Sequence, residues 1–569
     1  MSTAHLDNAR YVDARHSIFT QYSTPSSAKT LLKSLKPARP VRFVMGCMDG
    51  TREGVFGRID TWLEDLRGPN VLWISGTPGV GKSAIMSTLE SRLRMAGRFG
   101  ASFFFDRSDA SFSDPAALWR TVAYDLAQKY PLMGKRLVKN LQDDKVDPGR
   151  PDIELHFKYM IQDPLSHMWD SVAAGAGEMN EELSDGEQSE EENHVVKPPV
   201  IIIDAVDECD SDDSQSMQRN ILFNTLTYWS HLHPSIKLVV TGRDERIPPS
   251  FVNVCDHIVL KTGDLVSSEE NDDIKTFMER RFADDIAPRY PSLRPTWPGH
   301  STIMRLTECA AGLFIWADTA LKYIEQGIAT ERLDFILTGH FPEGDRLDAL
   351  YRQILASSFQ DMKSQICQKF KKVVGAIVLA KIPLRYVDIK YFIGQRIDSP
   401  SIDFILEKLS SVLSKGTPDG CVHIGHVSFT EFVCDPVRCR ETLVIPRSTH
   451  SGHMALACLV NMNRGLKFNI CRLETSYRRN DKIPDLQNRI NKKIPSYLLY
   501  SCRFFAEHLS DSSNTDSSND VLLLKEIESF LYTKFLYWLE VMSLCGQVSD
   551  AVTSLHILKC WLEVSWFHP

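Results

Sequence analysis

The chain has 569 residues, enough for three or four domains at roughly 150 residues each and too many for a single core. Its 43% apolar and 24% charged residues are ordinary for a globular protein. The net charge of −8 is carried by one stretch, 178–192, where Glu178, Glu181, Glu182, Asp185, Glu187, Glu190, Glu191 and Glu192 stand without a base. The remainder is neutral, which speaks against a dedicated nucleic-acid binder with its basic excess.

No apolar run approaches the 18 residues of a membrane span. The 13 cysteines are odd in number and scattered; the nearest pair, Cys434 and Cys439, has no matching His or Cys cluster for zinc. A reducing compartment and a cytoplasmic location are expected.

Residues 1–45 read as a Ser/Pro/Lys leader, partly disordered. Across 46–265 short β-rich runs alternate with helical stretches, the pattern of a parallel α/β sheet: 71–75 (VLWIS), 101–105 (ASFFF), 199–204 (PVIIID), 235–241 (SIKLVVT) and 257–260 (HIVL). A helix is expected to end near Leu165, followed by a disordered acidic insert over 173–193, too poor in large apolar groups to offset its ordering entropy. The insert could also dock a basic partner.

Strands then nearly vanish. Residues 266–345 form a helical domain, with Ile274, Phe277, Met278, Arg281 and Phe282 at helical spacing, as are Leu306, Ala310, Leu313, Ala317 and Leu321. Residues 346–440 read as a winged helix: helices, then a hairpin turning at Thr417-Pro418-Asp419-Gly420 and returning through CVHIGHVSF (421–429). Residues 441–569 form a C-terminal helical region with a polar linker at 510–520 and two last helices near 521–545 and 549–564. The fold class expected is an α/β P-loop NTPase, its parallel sheet flanked by helices, followed by an all-α domain, a winged helix and C-terminal helices.

The strongest local signal is Gly76-Thr77-Pro78-Gly79-Val80-Gly81-Lys82-Ser83, which fits G-x-x-x-x-G-K-[ST] directly after a strand and at the start of a helix. Glycines let backbone N–H groups surround phosphate oxygens, and the helix N-terminus adds positive partial charge. Lys82 would reach the β- and γ-phosphates, and the Ser83 hydroxyl would ligate Mg²⁺.

The strand 200–204 ends in Asp204, the Walker B acid that would hold Mg²⁺ through water; by itself it could also be a helix or turn cap. Asp207 or Glu208 could activate the attacking water. Arg243, at the tip of the next strand, could sense the γ-phosphate or form a plain salt bridge. The whole scheme expects the turn at 76–83 and the acid of strand 200–204 on neighbouring strands, with the turn open to an anion.

Together with CMDGTREGVFGRIDTWL (47–63), ASFFFDR (101–107), PPVIIIDAVDECD (198–210), LVVTGRDE (238–245), AAGLFIWADTAL (310–321), HVSFTEFVCDPVRC (426–439) and FLYWLEVMSL (535–544), these motifs run in one family's order. The chain resembles the NACHT group of STAND-type P-loop NTPases, in particular the fungal nephrocystin-3-like N-terminal type, over about residues 46–560. The resemblance implies that Gly50-Thr51-Arg52 pack near adenine and ribose, that Arg243 is the first sensor arginine, and that His426 touches the ADP β-phosphate in a closed state. Without it, His426 would read as a core histidine in phase with Val422 and Ile424.

Two features depart from the family: Phe314 stands where relatives often have Pro, and about 45 residues precede the NTPase, with no repeats behind it. The function implied is an ATP- or ADP-binding switch whose exchange controls opening and self-association in the ATP state, within fungal non-self recognition or programmed cell death. Two rivals share the same residues: a turnover ATPase acting as a remodeller, and a truncated scaffold that captures full-length relatives or another protein through its apolar C-terminal helices (Trp561, Leu562, Val564, Trp566, Phe567).

Overall fold

The computed structural model describes residues 11–12, 19–20, 28, 31–32, 35, 45–107, 110–173, 197–209, 216–244, 247–291, 296–342, 345–359, 364–394, 397–415, 420–475, 477–512 and 517–567. Its first layer is a five-stranded, all-parallel sheet: β1 (Val71–Gly76), β2 (Phe99–Phe104), β3 (Val200–Asp204), β4 (Lys237–Gly242) and β5 (Cys255–Leu260), in the spatial order β2-β3-β4-β1-β5. Every residue of β1, β3 and β4 is buried, as strands covered on both faces must be.

The alternation of side chains sorts the apolar runs into two cores. Trp73, Phe103, Ile201, Ile203, Leu238 and Val240 face Trp119, Phe157 and Trp229. Leu72, Ile74, Val200, Ile202 and Val239 face Phe56, Ile59, Ile85 and Leu89. The second group lies on α1 (Glu53–Glu64) and α2 (Lys82–Met95), while Trp119 belongs to α3 (Pro115–Lys129).

Several expectations change here. The strands carrying the P-loop and Asp204 are not neighbours, because β4 pairs with both and separates them. Adjacency was the wrong requirement: α2 leaves β1 and crosses the sheet, so its first residues reach the tip of β3 over the tip of β4. The helix expected to end near Leu165 runs to Ala173, since Met168 is buried and the Trp169 ring lies 4.5 Å from that of His233. The acidic insert lies, Ala173 apart, outside the described residues. Leu35, placed in the leader, is fully buried against the Trp119 face, with Leu31 and Leu32 beside it.

Beyond the sheet, α4 (Ser268–Arg281) opens on a reciprocal cap between Ser267 and Glu270, and α5 (Phe314–Glu325) follows Gly312 at φ +87°. They share a core with α6 (Arg346–Phe359), which buries Leu350 and Ile354 there and sends Tyr351, Leu355 and Phe359 into the next core.

After α7 (Ser364–Val378) come the antiparallel ribbon β6 (Leu413–Lys415) and β7 (Val422–Ile424). Thr417–Asp419 of the expected turn lie outside the described residues. The return strand ends early: Val427–Cys434 is a helix, α8, because Phe429, Phe432 and Val433 bury one helical face and His426 caps it.

Next come α9 (Arg447–Gly465), α10 (Ser496–Ser510), α11 (Ser517–Thr533), α12 (Phe535–Leu544) and α13 (Val548–Phe567). One core runs from Tyr351 to Trp561 without a break at position 440. The polar linker shrinks, since helix reaches Ser510 and resumes at Ser517. The helix expected over 521–545 breaks at Lys534, which lets the rings of Phe530, Phe535 and Trp538 meet within 6.3 Å. Trp561, for which an exposed end and packing back onto helix 527–544 are both open in the sequence, is 6% exposed and packs inside this core with Ile527 and Trp538. Among the described residues no helix is long and apolar enough to cross a membrane.

Candidate nucleotide-binding site

The turn from β1 into α2 has the backbone of a phosphate cradle. Gly79 and Gly81 take φ +83° and +101°, a region L side chains rarely enter. Val80 is buried as the loop's anchor, while Thr77 is exposed and Pro78, Gly79, Gly81, Lys82 and Ser83 are half-buried, so the loop keeps an open side. The Lys82 ammonium donates to the carbonyls of Gly76 (2.6 Å) and Thr77 (3.1 Å), curled over the cradle. Burial lowers its proton affinity while Asp207 and Asp204 pull it back up.

Arg52 is 2% exposed, so the structure places it behind the loop rather than on its open side. Its Nη2 donates to the Val80 carbonyl (2.7 Å), its backbone N–H donates to Asp273 (2.9 Å), and its guanidinium lies 4.8 Å from the Phe314 ring centre. Phe314, the departure from the family's Pro, thus stacks on the residue that supports the loop.

Opposite Lys82 stands the acid side. Asp204 is bonded by the Ser83 hydroxyl and by Thr241, whose Oγ1 donates to Oδ1 at 2.5 Å and accepts from the Ala205 N–H at 2.9 Å. Burial raises the Asp204 pKa and those two hydroxyls oppose the rise. The donor set of Ser83 and Asp204 suits a magnesium ion, a hard cation bound by one or two protein oxygens with water and phosphate completing the shell.

Ala205 at φ +53° turns the chain so that Asp207 and Glu208 follow on a 3₁₀ turn. Asp207 pairs with Arg243 (Nε to Oδ2, 3.0 Å), whereas Glu208 accepts from the Arg107 N–H (3.2 Å) and is pushed up to about 7 by burial, with Asp106 and Asp207 adding to the rise.

The helical half covers the loop from two directions. The Ile315 N–H at the start of α5 donates to the Gly79 carbonyl (3.0 Å). His426 sits with Cε1 3.8 Å from where a Cβ of Gly79 would be, and its Nδ1 accepts from the Ser428 N–H (3.2 Å). His426 is therefore a helix cap and not a strand residue in phase with Val422. Glu431, on the same helix, accepts from Arg243 Nη2 at 2.9 Å.

Of the residues singled out for nucleotide, Gly76–Ser83, Asp204, Asp207, Glu208, Arg243 and His426 thus meet at the C-terminal ends of the central strands, with Arg52 as the loop's support. Thr241, the last residue of the run 235–241, joins them by holding Asp204 and the Ala205 N–H. The sequence by itself does not single out Ile315, Arg107 or Glu431; the signal for Glu431 is that it is the one charge in the otherwise neutral helix VSFTEFVC.

Residues 50–172 match the family model described as Nephrocystin 3, N-terminal. The chain is 22% identical over 518 residues to the vegetative incompatibility protein HET-E-1 of Podospora anserina, a match covering 86% of this chain and 34% of that protein. The chain therefore spans about a third of the length of this relative. The resemblance to the nephrocystin-3-like N-terminal type is borne out over residues 50–172, and the similarity to a fungal incompatibility protein extends over most of the chain.

Solved structures align weakly. A STAND protein with a tetratricopeptide repeat sensor from Pyrococcus horikoshii is 14% identical at TM-score 0.37, covering 93% of this chain and 65% of that one. The Aeropyrum pernix ORC2 protein, solved as ADPNP–ADP complexes, is 10% identical at TM-score 0.29, covering 68% and 92%.

Proposed function

We propose that this chain, of the nephrocystin-3-like STAND type, is a nucleotide-controlled switch. The observation that supports this most directly is the position of His426, 3.8 Å from the Cβ site of Gly79 at the apex of the cradle. ADP held by the loop on one side and by His426 on the other would tie the sheet to the helical half, read here as a helical domain followed by a winged helix. Gly76–Gly81 would wrap the phosphates, Lys82 would pair with the β- and γ-phosphates, and Arg243 would sense the latter. Ser83 and Asp204 would hold magnesium, which when bound neutralises phosphate charge.

A ligand shifts such an equilibrium only by its differential affinity for the two states, so exchange of ADP for ATP must weaken the His426 side. Opening would then expose surface for self-association, the step linking the chain to signalling of the incompatibility type, in the cytoplasm.

Glu208 rather than Asp207 is the candidate to take a proton from water. Asp207 is engaged by Arg243, while Glu208 has a pKa of about 7, near the optimum for a general base at neutral pH. Hydrolysis would reset the switch slowly; steady turnover above roughly 1 s⁻¹ would instead favour a working ATPase.

The test is mass analysis of nucleotide released from the purified protein. Wild type is expected to carry ADP, His426→Ala to have lost most of it, and Lys82→Ala to bind neither ADP nor ATP. Binding undiminished in Lys82→Ala would falsify the site.

A further inference from the structure

We infer that Glu431 is a positioning residue that holds the phosphate-sensing arginine in the closed state and makes helix α8 compete with a γ-phosphate for it. This rests on the switch reading above and adds the group through which ATP and ADP are told apart. Arg243 lies between two carboxylates on different parts of the molecule. Its Nε faces Asp207 at 3.0 Å on the sheet side, and its Nη2 reaches Glu431 at 2.9 Å on α8. The three side chains are 18%, 9% and 20% exposed. Burial works against the guanidinium's charge, and Glu431 and then Asp207 outweigh it.

Two carboxylates already engage the Arg243 guanidinium through Nε and Nη2, so a third anion arriving there would compete with them for it. Asp207 is fixed beside the metal-side acid and also accepts from the Arg243 backbone N–H at 3.2 Å. Glu431 is the partner free to leave, because it belongs to a helix whose packing lies in another core. Phe429, Phe432 and Val433 of α8 are buried in the core of the helical half, and the Ser428 hydroxyl meets the Tyr351 hydroxyl of α6 at 2.9 Å. The helix therefore moves with that half, and His426, its cap, moves with it.

A γ-phosphate at Arg243 would take over the terminal Nη2 and repel Glu431, pushing α8 from the sheet and withdrawing His426 from the loop. ADP lacks that phosphate and leaves the pair intact. One charge competition would thus turn the presence of the third phosphate into separation of the two halves.

The experiment uses the full chain with Glu431→Gln, which keeps the shape and removes the charge. Affinities for fluorescent ATP and ADP analogues are measured by titration, and compactness by small-angle scattering. The expected result is that the ATP-to-ADP preference rises about tenfold, within the usual range of coupling between sites, with ADP affinity within twofold of the parent. Glu431→Asp, charged but one methylene shorter, should fall between the two. In an Arg243→Ala background Glu431→Gln should do nothing, which separates competition for the arginine from general loosening.

An unchanged preference in Glu431→Gln, equal shifts for both nucleotides, or an effect that persists without Arg243 overturns the competition. If the parent binds neither nucleotide, the switch itself fails, and the competition fails with it. Binding by the parent with no change in Glu431→Gln sinks the competition alone.

Discussion

A methyl group on Gly79 would meet two obstacles at once. Its Cβ would lie 1.9 Å from Ile315 Cγ2, and the φ of +83° is strained for any L side chain. Gly79→Ala is therefore expected to cost at least about 1 kcal/mol and to loosen the start of α5, seen as a lower melting temperature. Adding Ile315→Ala should recover only part of the steric cost, because Ile315 Cβ remains 2.9 Å from the new methyl, and should leave the backbone part.

Arg52 presents the reverse problem, a buried cation with Glu270 and Asp273 within 4.0 Å of Nη1. Arg52→Ala would remove the cation facing those carboxylates and free the Val80 carbonyl, a loss of about 1–3 kcal/mol by the usual cost of an unpaired buried group, read from a denaturant titration.

At Glu208 the prediction is one of pH. The native carboxyl titrates near 7 against 4.5 for the ordinary group, so the folded state binds that proton more tightly than the unfolded chain. Its contribution to stability is present below 4.5 and is lost as pH rises through 7. Glu208→Gln is expected to raise the melting temperature over the parent at pH 8 and not at pH 4. If Glu208 is the base, hydrolysis should climb through pH 7 in the parent and be absent in the variant.

Among the elements, α8 has the most consequence for its size. Eight residues long, it carries His426 as its cap, Ser428 against Tyr351 and Glu431 against Arg243. Ser428→Ala would leave the fully buried Tyr351 hydroxyl, whose pKa burial pushes well up, without this partner. A cost of about 1–3 kcal/mol is expected, read as a lower melting temperature, with weakened ADP retention because the His426 ring would lose its bond to the hydroxyl. This helix was read in the sequence as the end of a strand. Three alternating residues, Val422, Ile424 and His426, looked like a period of two, but the apolar spacing at 429, 432 and 433 is helical and prevails because it faces a deep core.

For the molecule as a whole, the continuous core from Tyr351 to Trp561 means that residues 351–561 pack as one body, beside the separate core of the preceding helices. The Tyr500 hydroxyl accepts from the Lys381 N–H at 3.0 Å, and the Ser496 hydroxyl donates to Asp388 at 2.5 Å, both across position 440. A chain ending at 440 would expose the face of α7 that α9 covers and the turn Tyr386–Tyr391 that α10 covers. It is expected to be insoluble, or to lose the cooperative unfolding of the full chain in calorimetry.

Local chemistry in the sequence was enough for the cradle, the strand ending in Asp204 and the sheet's apolar runs, because each depends on residues close together in the chain: glycines for positive φ, a lysine at a helix start, β-branched runs for buried strands. The order of the strands, the placement of Arg52 behind the loop and the pairing of Arg243 with Glu431 were decided by tertiary structure. They join residues up to 221 positions apart, where no local periodicity records which partner will be met. The bond between Ser83 and Asp204 shows the same division: each residue is legible by itself, but only the path of α2 across the sheet brings them together over an intervening strand.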